Sequence, residues 1–143
     1  MVVKAVCLLA LATALVGCHT RQADAAPAEY NLDEVFTLGG GQQASIRGEN
    51  LSLRFTDVLE DSRCPTAVDC VWTGQARIAV EVQPQGSAPT ATEFNTNAAP
   101  GQNLQTTTVG AYTIELQSLD PYPETTEPIA FEDYLATLLV TKP

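Results

Sequence analysis

The stretch Ala76-Arg77-Ile78-Ala79-Val80-Glu81-Val82 alternates at period two, with Ala76, Ile78, Val80 and Val82 on one side and Arg77, Ala79 and Glu81 between them. Successive side chains of a β-strand point to opposite faces, so this stretch reads as a strand with one face in a core and the other near water. The same spacing recurs in Leu51-Ser52-Leu53-Arg54-Phe55 and in Tyr112-Thr113-Ile114-Glu115-Leu116. Further strands are expected over residues 34–38, 44–47, 104–109 and 134–141. Turn chemistry separates them, in Gly39-Gly40-Gly41, Gly48-Glu49-Asn50, Val109-Gly110 and Asp120-Pro121-Tyr122-Pro123.

Some seven or eight short strands with no long amphipathic helix predict an all-β fold, an antiparallel β-sandwich with a small β-barrel as the alternative. Residues 135–140 are almost continuously apolar, which places the last strand inside a sheet and not at its edge. A helical turn is expected only within 128–134. Residues 87–102, with their Pro, Gly, Thr, Ala and Asn, read as a loop in which Thr92-Glu93-Phe94 is a short strand candidate.

Ahead of this domain stands a leader. Lys4 supplies one positive charge, residues 5–16 are apolar, and Gly17 follows, which is the anatomy of a secretory signal peptide. The apolar run falls short of the ~20 residues that a spanning helix needs. Leu15-Val16-Gly17-Cys18 resembles the lipobox of bacterial lipoproteins. The resemblance implies that the Cys18 thiol receives a diacylglyceryl group and becomes the new N-terminus, held to a membrane by acyl chains such as palmitate. Each buried methylene contributes about 0.8 kcal/mol, and two or more chains give stable anchoring. The competing reading is an ordinary signal peptide cut at an alanine within 23–28, with Cys18 discarded.

In the sorting pattern that the resemblance implies, Asp after the lipidated cysteine retains a protein at the inner membrane. His19 occupies that position here, which favours the outer membrane where a cell has two. The expected organisation is therefore a signal peptide over 1–17, a lipidated N-terminus and flexible tether over 18–31, and a single β domain over 32–143. About 13 residues of coil would let the domain stand roughly 20 Å from the membrane surface.

Seventeen acidic and seven basic residues give the 143-residue chain a formal charge of −10, which becomes one unit more negative when Lys4 leaves with the signal peptide. So acidic a surface argues against nucleic acid as a partner and against docking on anionic headgroups. The expected partners are the membrane, through the N-terminal lipid, and a protein of the cell envelope.

The densest motif runs Asp57-Val58-Leu59-Glu60-Asp61-Ser62-Arg63-Cys64-Pro65 and continues, after Thr66 and Ala67, through Val68-Asp69-Cys70-Val71-Trp72-Thr73-Gly74. Its Asp-Ser-Arg-Cys-Pro and Cys-x-Trp-x-Gly segments resemble the signature of an uncharacterised bacterial lipoprotein family, a resemblance that names no chemistry. In an exported protein, Cys64 and Cys70 are expected to close a structural disulfide, whose loop-closure contribution is about 2.4 kcal/mol. A redox-active pair normally has two residues between its thiols, and a zinc site would draw on further Cys or His. Trp72 is expected to pack beneath the loop and to start the strand that runs through Val82. Arg63 is expected to pair with Asp61 or Asp69.

The functional alternative makes Ser62, Arg63 and Trp72 a contact loop for another protein, since fixed loops on rigid sandwiches serve recognition well. Asp57, Glu60, Asp61 and Asp69 are weak candidates for a calcium site, against the simpler reading of a solvated acidic rim. The single histidine, His19, lies in the tether, so the domain offers no Ser-His-Asp or Cys-His arrangement. Gly39-Gly40-Gly41 lacks the lysine and helix of a phosphate cradle. No catalytic residue and no cofactor is expected. Two functions remain: a non-catalytic binding or interaction module, such as an accessory subunit or an inhibitor, and a purely structural envelope lipoprotein. An exposed Trp72 with an apolar patch around the disulfide loop would favour the first, and a uniformly polar surface the second.

Overall fold

The alternating segments become the inner faces of two sheets. The computed structural model describes residues 26–99, 102 and 105–143. Cys7, Cys18 and His19 lie outside these residues, as do the signal peptide and most of the tether. Nine strands are found among the described residues: β1 (Ala28–Tyr30), β2 (Val35–Gly39), β3 (Gln43–Ile46), β4 (Leu51–Asp61), β5 (Ala76–Pro84), β6 (Thr90–Asn95), β7 (Thr106–Val109), β8 (Tyr112–Asp120) and β9 (Leu135–Thr141). They form a five-stranded sheet in the order β1-β3-β4-β5-β6 and a four-stranded sheet in the order β2-β9-β8-β7. The two sheets are separate and unclosed, so the fold is a β-sandwich and not a barrel.

Each strand pairs antiparallel with its neighbours except β1, which runs parallel to β3. Ile78, Val80 and Val82 of β5 are buried beside Leu51, Leu53 and Phe55 of β4, and Ile114, Leu116, Leu138 and Val140 are buried in the other sheet. Fully burying such a side chain contributes about 1.5–3 kcal/mol, so these two faces supply most of the driving force for closure. β9 lies between β2 and β8, as its apolar run predicts.

Two stretches differ from the sequence expectation. Residues 28–30, expected to be tether, form β1, where the Tyr30 ring stacks on Phe36 with centroids 4.4 Å apart. Bonds to β3 and this aromatic contact fix a segment that carries no apolar period of its own. The 87–102 stretch contains β6, a six-residue edge strand, with Phe94 and Asn95 buried. The helical turn expected within 128–134 is a short 3-10 turn at Phe131–Asp133, whose Phe131 ring meets Phe55 edge-on at 5.3 Å.

Candidate functional site

The cysteine loop leaves the five-stranded sheet where β4 changes character. Register shifts between Phe55 and Asp57 and between Val58 and Glu60 interrupt its pairing with β5. Bulges bend and twist a strand, and beyond Phe55 no residue of β4 belongs to the buried core. The end of β4 therefore carries Asp61, Ser62 and Arg63 to the seam between the two sheets.

Arg63 is 7% exposed, and every polar nitrogen of its guanidinium is used. Nε and Nη2 donate to the two carboxylate oxygens of Asp61 at 2.8 and 2.6 Å. Nη1 donates to the Leu119 carbonyl at 2.7 Å and Nη2 to the Pro121 carbonyl at 2.9 Å. Tyr134 completes the group by donating its hydroxyl to Asp61 at 2.9 Å. The planar fork of arginine suits this bidentate geometry, and it pins β4 of one sheet to the end of β8 in the other. On the outer side the guanidinium carbon lies 5.1 Å from the centre of the Tyr122 ring.

Burial alone would raise the Asp61 carboxyl, but hydrogen bonds from Arg63 and Tyr134 and the charge of Arg63 together hold it below the usual carboxylate range. The Tyr134 phenol is pushed up to about 12, first by burial and then by its bond to the Asp61 carboxylate. Arg63 is raised as well: burial opposes its charge, and the hydrogen bonds and charge of Asp61 outweigh that. The group is thus a self-satisfied ion pair with a neutral phenol beside it.

The loop itself is fixed at three places. Cys64 and Cys70 form a disulfide with Cα atoms 6.0 Å apart, as expected. The Ser62 and Cys64 amides donate to the carbonyls of Gln75 and Thr73 at 2.8 and 2.9 Å, closing the base. The Thr66 and Ala67 amides donate to the carbonyls of Pro123 and Glu124 at 3.0 and 3.1 Å, which ties the loop to the 120s segment. Gly74 makes the return possible: its φ is +67°, and a β-carbon there would collide with the Ser62 carbonyl.

Trp72 is 74% exposed and Val71 93%. The expected packing of Trp72 beneath the loop is therefore corrected: residues 71–75 form the loop's return, held by the backbone bond of Cys64 to Thr73 and turned at Gly74, and not a strand with a core-facing side. β5 begins at Ala76, four residues later than expected, since residues 71–75 serve the loop. Val68 and Tyr122, 41% and 47% exposed, lie on the same two bonded segments. Of the sequence candidates, Trp72 stands in solvent, Arg63 is interior, and Ser62 is exposed but bonded through Oγ to Glu60 at 2.9 Å.

The four carboxylates considered for calcium do not converge. Among the described residues no three His, Cys, Asp or Glu side chains come close enough together to hold a metal ion, and Asp61 is committed to Arg63 and Tyr134. A cavity of about 590 Å³ runs beneath β4 and the 123–131 segment, with Asp61, Arg63 and Tyr134 in its lining. Sequence reasoning singled out neither Tyr134 nor the Leu119 and Pro121 carbonyls as partners of Arg63; a carbonyl's role leaves no trace in residue identity. Comparison with known proteins finds no match, whether to a family model, a curated protein or a solved structure.

Proposed function

We propose that this protein is a lipid-anchored, non-catalytic interaction module of a bacterial cell envelope, acting as an accessory subunit or inhibitor through its disulfide-closed loop. The observation that carries this reading is the exposure of Trp72, 74% accessible on a loop held by a disulfide and by backbone bonds to the 120s segment. Leaving indole in water forgoes its burial energy, and tryptophan is the residue most typical of interface hot spots. Because the loop is already ordered, a partner would spend little entropy on arranging it.

Cys18 supports the anchor, through the lipobox resemblance, and His19 after it supports the outer membrane. A purely structural lipoprotein would have no use for an exposed Val71-Trp72 pair. The test is chemical crosslinking of the lipidated protein in intact envelopes, with Trp72→Ala alongside. A stoichiometric partner lost in that variant is expected. An identical crosslinking pattern in both would remove the loop as the contact surface. Cys18→Ser, in parallel, should move the protein from the membrane to the soluble fraction.

A further inference from the structure

Charge is unevenly distributed between the two ends of the sandwich. At the end that bears the disulfide loop, Asp69, Asp120, Glu124, Glu127, Glu132 and Asp133 are all exposed, and none belongs to an ion pair among the described residues. Two cations of that end are held in ion pairs, while Arg54, exposed and in none among the described residues, donates Nε to the Gly41 carbonyl at 3.3 Å beside the 131–133 turn. Arg63 is sealed against Asp61, and Arg77 faces Glu60 and Glu93 at 3.6 and 3.3 Å. At the opposite end two of four carboxylates are matched, Glu49 by Lys142 at 2.8 Å and Glu29 by Arg47 at 3.5 Å, while Asp33 and Glu34 are exposed and in no ion pair among the described residues. Val68, Val71, Trp72 and Tyr122 thus share their two bonded segments with the exposed carboxylates Asp69 and Glu124, which enter no ion pair among the described residues.

We propose that the occupant of this surface is a cationic protein, one that offers an apolar slot for Trp72 bordered by lysine and arginine. This rests on the interaction-module reading above and specifies the chemistry of its partner. Against a neutral or acidic partner, the carboxylates carried on the same segments would lose hydration or meet like charge, which opposes seating the indole. Against a cationic partner the same groups become steering charges, and such fields raise association rates by about 10- to 1,000-fold. The bonds from Thr66 and Ala67 to the carbonyls of Pro123 and Glu124 hold the acidic segment beside the apolar loop, so anchor and charge are presented together. An anionic lipid surface is the wrong counterpart, because the carboxylates would lie within a Debye length of about 8 Å of like-charged headgroups.

The test uses the full lipidated chain with a photo-crosslinking amino acid in place of Val71, irradiated in intact envelopes over a salt series from about 0.05 to about 0.5 M. Two further variants accompany it: Trp72→Ala, and a triple substitution of Asp69→Asn, Glu124→Gln and Glu127→Gln, with folding of each verified by thermal unfolding. The expected result is a partner whose crosslinked segment is flanked by Lys or Arg. Its yield should fall about tenfold or more with salt and with the triple substitution. A partner lost in Trp72→Ala but indifferent to salt and to the triple substitution overturns the cationic partner while the interaction module stands. No adduct at all, or one unaffected by Trp72→Ala, removes both. Trp72 is the sole tryptophan, so its emission serves as a control in vesicles of phosphatidylethanolamine and phosphatidylglycerol. No blue shift is expected on reconstituting the lipidated chain, and a shift would make lipid the occupant and overturn the proposal.

Discussion

The Tyr134 hydroxyl donates to the Asp61 carboxylate at 2.9 Å across 73 positions of sequence, joining the entry to β9 with the last residue of β4. The same carboxylate accepts two bonds from the Arg63 guanidinium, which in turn reaches the Leu119 and Pro121 carbonyls at the end of β8. The two sheets are therefore locked together directly beneath the loop that carries Trp72. An ion pair placed here serves positioning more than net stability, since buried pairs often only offset their own desolvation.

Removing one partner of that pair is a different matter. Arg63→Met should leave Asp61 as an uncompensated carboxylate in a site where its side chain is 12% exposed, at a cost of about 3–5 kcal/mol. Urea unfolding measures this directly. Arg63→Lys should recover little, because an ammonium cannot form the bidentate contact, whereas the double variant Arg63→Met with Asp61→Leu should lose much less than Arg63→Met alone. Equal losses in the two would show that packing, and not charge, is what Arg63 provides.

The brace also predicts the pH dependence of stability at both extremes. The Asp61 carboxyl is held below its ordinary value of 3.8, so its contribution is complete above that value and is lost as pH falls through the lower native one. Tyr134 titrates near 12 instead of 10.0, so the stability it confers is complete below pH 10 and is lost as pH rises toward 12. Tyr134→Phe should remove the alkaline loss, and Asp61→Asn should flatten the acid limb. Stability measured by denaturant across both ranges tests the pair, and unaltered limbs in the variants would place the titrations elsewhere.

How much of this was legible in the sequence depends on what positions each residue. Strands β4, β5 and β8 were visible because burial on one face imposes period two on residue identity, and β9 because its apolar run marks a strand paired on both edges, by β2 and β8. The disulfide followed from spacing and from the expectation that a chain with this leader is exported. β1 was not legible, since its order comes from bonds to β3 and from Tyr30 on Phe36. The place of Trp72 was misjudged for a related reason. Aromatic identity favours a core, but Trp72 lies on the loop's return, whose course is set by Gly74 and by the bond of Cys64 to Thr73.

Gly74 tests the loop's return path. Alanine there must take a positive φ and push its β-carbon into the Ser62 carbonyl, so the base bonds of Ser62 to Gln75 and Cys64 to Thr73 must open or shift. A loss of about 1–3 kcal/mol is expected, together with faster amide exchange at Ser62 and Cys64. Gly86, with φ +77° but no neighbouring atom near its missing β-carbon, is the control: Gly86→Ala should cost less, with no effect on those two amides.

Reduction of the Cys64–Cys70 bond separates the loop's closure from its attachment. The chain-entropy contribution for so short a loop is about 2–3 kcal/mol, and the double variant Cys64→Ser with Cys70→Ser should lose about that much in chemical denaturation. The bonds from Thr66 and Ala67 to the 120s segment do not involve the sulfurs. Exchange protection should therefore persist at these amides, as it should in the strands of both sheets. Loss of protection throughout β4 and β5 would mean that the disulfide holds the sandwich and not only its loop.

Trp72→Ala distinguishes a contact residue from a structural one most directly. An indole that is 74% exposed contributes little packing to the native state, and exposed substitutions usually change stability by less than about 0.5 kcal/mol. The variant should therefore unfold at nearly the wild-type denaturant midpoint. In the wild-type protein the same exposure predicts tryptophan emission close to that of indole in water, with only a small wavelength shift on unfolding. A large red shift on unfolding, or a midpoint lowered in Trp72→Ala by the 3 kcal/mol or more typical of a buried tryptophan, would return the side chain to the core and with it remove the basis for a contact surface at this end of the sandwich.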